Sequence, residues 1–441
     1  MRIRLAAPVV LTSILTALLA GAGCAHRGAG SPANPANGGP VTEIEMEPIK
    51  ITAVSGPDGT HVEAFDAADL FEQASKALSD KRYDDAIRGY DRVLKEFAAS
   101  RYTIASIYNA GLAHQGKKDW DGAIARFKVL VETHRESPDA KDALFQLGAT
   151  FGETGNWPAS AQTFAEILDR KDLTSDDRLE ALGRRGFAQF QLKDLETAER
   201  TFRSAVAFFR SIETIDRLET DFFLALSMYH LGQVSHERFR SVSLRLPERQ
   251  MSADLDEKAR MLLASQRQYI DTIKLGNPGW ASASGFQIGS LYEELYDSFI
   301  HAPVPPELLG SDAREKREVY YDEIRKKIRI LLEKSVRTHE ANLLMMERLG
   351  VQNEWREKSR LAYAKIQKLL DPSYRPEFEP AAAARAPVAP VAPPLPASPA
   401  SRGGNPATSP EPNLTGQPGE PVVEPDRKPR ARPEGPVRQI M

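Results

Sequence analysis

The sequence predicts an all-α chain, a solenoid of helical hairpins followed by a disordered Pro/Ala-rich C-terminal tail. Three observations carry this expectation. Apolar residues keep a helical period from Asp66 onward. A set of small and aromatic residues returns every 37 or 38 residues over the first part of that region. Beyond Tyr374 the composition changes, and 16 of the 31 prolines fall between Pro380 and Pro436, a stretch too poor in apolar side chains to offset its chain entropy.

Composition narrows the function. A formal charge of -3 lacks the basic excess that phosphate-backbone binding requires, so nucleic acid is not an expected partner. Hydrophobic residues at 41% leave enough apolar surface for a sizeable core, so most of the chain should fold. The single cysteine, Cys24, cannot form an internal disulfide and needs another explanation.

The N-terminus supplies one. Arg2 and Arg4 precede an uncharged, mostly apolar run from Leu5 to Ala22, the layout of a secretory signal over residues 1–23. The small residues Ala20-Gly21-Ala22-Gly23 lead into Cys24. This resembles the lipobox of bacterial lipoproteins, with Gly21 standing where that motif carries an aliphatic residue. The resemblance implies cleavage before Cys24, lipidation of its thiol, and a membrane anchor made by several acyl chains. Ala25 after the cysteine, in place of Asp, implies the periplasmic face of the outer membrane.

Residues 24–40 are mostly Gly, Pro, Ala and Asn and read as a flexible tether. Residues 41–65 form a strand-like entry segment, in which Ile49-Lys50-Ile51-Thr52 and His61-Val62-Glu63-Ala64 flank Pro57-Asp58-Gly59 as a hairpin would. The hairpin array is expected over 66–242. Its small residues lie twelve apart in four units: Ala74/Ala86, Gly111/Ala123, Gly148/Ser160 and Gly186/Ala198. Each pair permits two helix backbones to approach, and Tyr90, Phe127, Phe164 or Phe202, four residues later, covers the seam.

These spacings resemble tetratricopeptide repeats. A fifth unit begins around Ala225, but Glu237 stands where its small residue belongs. Leu246-Pro247-Glu248-Arg249-Gln250 reads as a linker. A C-terminal helical region is expected over 253–374, with helices near Asp254–Leu275, Trp280–Ile300, Ala313–Leu349 and Glu354–Leu370. Gly289-x-x-Tyr292 echoes Gly148-x-x-Phe151, although the register of this region does not follow from spacing. Residues 375–441 form the tail, which carries Arg427, Lys428, Arg430 and Arg432 close to its end.

No phosphate-binding loop, nucleophile elbow or His-Glu-x-x-His motif occurs, so neither a catalytic set nor a cofactor, metal or small-molecule substrate is expected. His230, His236 and Glu237 come nearest to a metal cluster, but a spacing of six puts the imidazoles on different helix faces. Asp84-Asp85 and Asp176-Asp177 occupy helix starts, where capping explains them.

Binding is expected on the surface lined by the first helices. Counting three back from each small residue gives Phe71, Tyr108 and Phe145 as an aromatic ladder, with Leu112 beside it and Phe187 and Phe190 extending it. Such rings serve either as the floor of a groove or as support for a neighbouring helix. An extended or helical apolar segment of another protein is the expected ligand.

The phrase Ser137-Pro138-Asp139-Ala140-Lys141-Asp142-Ala143-Leu144-Phe145-Gln146-Leu147-Gly148 resembles the outer-membrane TPR lipoproteins, including the barrel-assembly lipoprotein. Asn109-Ala110-Gly111-Leu112-Ala113, Arg184-Arg185-Gly186-Phe187-Ala188 and the Pro303-Val304-Pro305-Pro306 loop are similar to those of the TPR lipoproteins of the adventurous gliding-motility machinery. These resemblances imply a membrane-anchored scaffold, not an enzyme, whose partners are envelope proteins. Roles in motility, in outer-membrane assembly and in regulating a cell-wall enzyme all remain open on the sequence.

Overall fold

A computed structural model describes residues 48–56, 59–309 and 313–371. The signal, Cys24, the tether and the Pro/Ala-rich tail lie outside the described residues. Described are an antiparallel hairpin, β1 (Lys50–Gly56) and β2 (Gly59–Phe65), and thirteen α-helices. Phe65 anchors the hairpin by meeting Phe97 edge-on at 6.2 Å, beneath the Arg92 guanidinium.

The first eight helices pair as α1 (Ala67–Ser79) with α2 (Tyr83–Glu96), α3 (Thr103–Lys117) with α4 (Trp120–Thr133), α5 (Pro138–Glu153) with α6 (Trp157–Leu168), and α7 (Ser175–Gln191) with α8 (Leu195–Ile212). Their punctuation repeats. Asp119, Asn156 and Asp194 each accept a backbone N–H from three residues on, and cap α4, α6 and α8. Before each second helix one residue takes a positive φ: Lys81, Lys118, Gly155 and Lys193. Asp177 closes a capping box with Thr174 at the start of α7, and Asp176 accepts the backbone N–H groups of Glu219 and Thr220, so these two carboxylates do structural work.

Two further hairpins follow: α9 (Phe222–Ser241) with α10 (Glu248–Leu275), and α11 (Pro278–Ile300) with α12 (Arg314–Arg348). A last helix, α13 (Glu354–Leu370), packs on α12 and α11 and buries Trp355. Leu246–Gln250 is mostly not linker, because α10 starts at Glu248 and the α9/α10 hairpin spans the boundary expected at 242–253.

One regular crossing shares its chemistry with the two later ones, while the other three regular crossings carry Ala86, Ala123 and Ala198 in the serine's place. Ser160 Oγ donates to the Gly148 carbonyl at 2.9 Å, and a Cβ on Gly148 would lie 2.8 Å from the Phe164 ring. Ser265 Oγ donates to the Gly232 carbonyl at 2.8 Å, with Tyr269 closing over Gly232. Ser335 Oγ donates to the Gly289 carbonyl at 2.8 Å, with His339 closing over Gly289. The fifth unit therefore crosses at Gly232, not at Ala225, and its second small residue is Ser265, not the residue at position 237. The sequence separation at the crossing grows from 12 residues to 33 and then 46, while the crossing itself is conserved.

Each second helix packs against the next first helix, and successive first helices also touch, from α1 with α3 to α11 with α13. Second helices of neighbouring hairpins make no contact of that order. The first helices therefore line the inner side of the stack.

Candidate functional site

The expected aromatic ladder lies inside the hairpins. Phe71, Tyr108 and Phe145 are 4 to 5% exposed. Each meets the covering ring of its own hairpin: Phe71 with Tyr90 at 5.7 Å, Tyr108 with Phe127 at 5.9 Å and Phe145 with Phe164 at 6.2 Å. Phe187 and Phe190 close on His230 at 5.1 and 5.5 Å, and Phe187 also meets Trp157. Leu112 is partly buried in the cluster around Tyr108 and Phe127. The structure thus places these side chains in the seams between helices, with little surface left toward a ligand.

His230 and His236 do not converge on a metal. His230 is fully buried among Phe187, Phe190, Phe202, Tyr229 and Trp280; its Nδ1 donates to the Leu226 carbonyl at 2.8 Å, and burial pushes the imidazole down to about 4. His236 sits between the Tyr269 hydroxyl and Glu294, each at 3.2 Å. Among the described residues no group of three or more His, Cys, Asp or Glu side chains is placed to hold a metal ion, and no helix is long and apolar enough to cross a membrane.

A site emerges where the first helices lengthen. Beyond its crossing glycine, α5 runs five residues, from Gly148 to Glu153. By the same count α9 runs nine, from Gly232 to Ser241, and α11 eleven, from Gly289 to Ile300. The extra turns wall a cleft of about 790 Å³, lined by Phe239 and Arg240 of α9, Ser290, Glu293, Glu294 and Asp297 of α11, and Lys365 of α13. The loop after α9, Lys258 of α10 and the segment from His301 to Pro303 complete it. Three consecutive inner helices thus contribute to one concavity.

Its charges are ordered. Arg240 holds Glu294 through two parallel bonds, Nε to Oε2 at 2.8 Å and Nη2 to Oε1 at 2.6 Å, and reaches Glu237 at 2.9 Å. Burial pulls the Glu294 carboxyl upward, but Arg240 and His236 outweigh it and hold the group at about 2. Lys258 is 3% exposed; its ammonium donates to the carbonyls of Phe239 and Val242, closing the end of α9, and lies 4.1 Å from the Phe239 ring centre. Burial lowers that ammonium to about 8. Glu293 is shared by His339 at 3.2 Å and Lys365 at 3.0 Å. Asp297 reaches solvent in the mouth of the cleft, yet the surrounding protein desolvates it enough to raise its carboxyl above the ordinary range.

Sequence reasoning missed this cleft because its members lie far apart, 54 residues between Arg240 and Glu294 and 72 between Glu293 and Lys365. One signal was present: Asp254 to Leu275 continues helically without Gly or Pro for longer than a repeat helix requires.

Residues 105–137 match the tetratricopeptide repeat family model. Among curated proteins, none matches the chain. Of the solved structures it is similar to, MamA (41-end) from Desulfovibrio magneticus RS-1 shares 15% identity and a TM-score of 0.31, covering 46% of this chain and 98% of that one. A tetratricopeptide repeat protein from Parabacteroides merdae shares 13%, TM-score 0.33, covering 68% and 98%. The C-terminal part of a TPR repeat-containing protein from Cytophaga hutchinsonii shares 13%, TM-score 0.37, covering 69% and 96%. The fold assignment stands on the recurring crossings and the matched repeat.

Proposed function

We propose that this tetratricopeptide-repeat chain is a lipid-anchored scaffold on the periplasmic face of the outer membrane, which holds a segment of an envelope protein along its inner helices and in the C-terminal cleft. The observation that carries the reading is the cleft itself. Lengthened ends of α9 and α11, together with Lys365 of α13, face one concavity on the side of the stack where the first helices meet. Hairpin repeats of this type present interaction surfaces, and a concavity of mixed charge edged by Val242, Leu244, Ala302 and Pro303 suits a polypeptide with both apolar and charged side chains. In this reading the rings of Phe71, Tyr108, Phe145, Phe187 and Phe190 stiffen the wall behind the inner face, and Leu112 borders it.

Cys24, preceded by small residues, supports the anchor, and the gliding-motility resemblance supports membership in an envelope-spanning complex. The role is that of a scaffold, not of an enzyme. Cys24→Ser should move the protein from membranes to the soluble periplasmic fraction; continued sedimentation would refute the lipid anchor. A photo-crosslinker at Ser290, in the cleft, should capture a defined envelope protein in intact cells, whereas one at the exposed Arg260 of α10 should not. Equal capture from both positions, or none from Ser290, would overturn the cleft as the partner site.

A further inference from the structure

The second helical hairpin shows what the entry face of a hairpin does in this stack. Ala110 and Ala113 of α3 are buried in the cluster built by α1 and α2, and Arg126 of α4 pairs with Asp91 of α2. One repeat on, Leu147 is buried in the cluster around α3 and α4, and Thr150 accepts the side-chain amide of Gln115 from α3. These positions receive the hairpin before them. Counting 37 residues back from Ala110, Ala113 and Arg126 gives Gln73, Lys76 and Gly89, and all three line an open groove of about 460 Å³ between α1 and α2.

The groove has a smooth floor and a rim of one sign. Leu70, Ala74 and Ala77 of α1 and Gly89 of α2 form the floor, a strip of short and apolar groups that leaves room for a third backbone. The rim carries Lys76, Arg82, Arg88 and Arg92 against the single carboxylate of Asp85. Asp85 is shared by Arg82 and Arg88. Just outside the lining, Asp80 reaches Arg82, and Glu96 is shared by Arg92 and Lys50. Three carboxylates, Asp80, Asp85 and Glu96, therefore answer five cations. Among the described residues no hydrogen bond or ion pair reaches the Lys76 ammonium.

A terminal repeat needs a polar outer face, but not a face of one charge. At the other end of the stack, α13 pairs Lys358 with Glu354 and Arg360 with Glu357. That helix carries five basic residues against two glutamates, so a second copy stacked end to end brings no acidic surface to the groove. The charges call for an acidic partner of another kind.

We propose that the entry groove docks an amphipathic helix of another protein, which takes the place of a preceding repeat and sets acidic residues against the rim and small or apolar ones against the floor. The chain's own seam supplies the pattern: α2 presents Asp84 and Asp91, seven residues or about 10 Å apart along the axis, to Lys117 and Arg126 of the next hairpin. Arg82 and Arg92 mark out about 15 Å along α2, a length that acidic residues at i, i+4, i+7 and i+11 of a docked helix would follow. This surface is separate from the C-terminal cleft and does not depend on it.

Fluorescence anisotropy on the full-length chain carrying Cys24→Ser tests the docking with two stapled 18-residue helical peptides of identical composition. In one, glutamates stand at i, i+4, i+7 and i+11 beside a face of Ala and Leu; in the other, the same residues are reordered so that the glutamates surround the helix. Docking predicts at least tenfold tighter binding of the first. Lys76→Glu with Arg88→Glu should abolish that preference, and Lys76→Gln, at a side chain without partners, should weaken it about threefold with the denaturant midpoint unchanged. Arg260→Glu on α10 should leave it as it was. Equal affinity for the two peptides, or a preference indifferent to the Lys76 and Arg88 substitutions, overturns the proposal. So does flotation with phosphatidylglycerol vesicles, or a doubled mass in sedimentation, if the paired substitutions abolish it while no peptide preference exists. The groove would then belong to a lipid surface or to a second copy.

Discussion

The first four hairpins and the last two close by the same crossing yet are built to different lengths, and the difference separates what holds this fold together from what it offers to a ligand. In the first four, twelve residues separate the small residues that meet, one residue turns in the left-handed region, and each first helix stops five or six residues past its crossing. In the last two, 33 and 46 residues separate the paired groups, and the added turns build the cleft. A stack needs the seam in order to propagate. It does not need a fixed hairpin length, so length is free to be spent on a site.

The largest expected effect tests whether the seams are equivalent. Gly148→Val and Gly289→Val both force a side chain into a covered crossing, against Phe164 in one and His339 in the other. Overpacking of this kind costs about 1 to 3 kcal/mol, and each variant should fall near the upper end in chemical denaturation. Comparable losses would confirm one seam chemistry. A Gly289→Val protein as stable as its parent would show that the expanded hairpins close elsewhere.

The four regular seams were legible in the sequence because small residue and covering ring recur at constant spacing. The expanded seams keep the same parts, Ser265 with Tyr269 and Ser335 with His339, but the register is lost because the second helix starts later and then runs 17 residues (Glu248 to Ser265) or 21 (Arg314 to Ser335) before its crossing. A histidine in the covering place hides the last one further. The rings at Phe71, Tyr108 and Phe145 show a different limit. A single sequence says that an aromatic stands on the first helix, and only packing against Tyr90, Phe127 and Phe164 says that it belongs to the interior.

A smaller effect should set the cleft apart through acid sensitivity. The folded Glu294 carboxyl, at about 2, lies below the ordinary glutamate range near 4.3, so its contribution to stability is present above that range and lost as pH falls from about 4.5 toward 2. Arg240→Ala should remove this component. At neutral pH the variant leaves Glu294 without its main partner, at a cost of about 2 kcal/mol. Its stability should then decline less steeply than the parent's between about pH 4.5 and 2, followed by denaturant midpoints across that range. Parallel decline in both proteins would locate the acid response outside the cleft.

The smallest effect belongs to the regular turns. Lys118 adopts φ 64° ahead of α4, at the place where the third hairpin has Gly155 at φ 72°. The left-handed region crowds the Cβ of a lysine against the following carbonyl, at a cost of roughly 1 to 2 kcal/mol that glycine escapes. Glycine gives back about 0.5 to 1 kcal/mol through the greater freedom of the unfolded chain. Lys118→Gly should therefore stabilise the protein by about 0.5 kcal/mol, and Gly155→Lys should destabilise it by a similar amount, both read as shifts of the denaturant midpoint. Among the described residues Lys118 makes no hydrogen bond through its ammonium, so the substitution alters mainly the backbone. Equal and opposite shifts would establish that the two turns are interchangeable parts of one repeat. If Lys118→Gly lowers the midpoint instead, the turn is held by contacts of its own, and the regular hairpins are less alike than their common spacing implies.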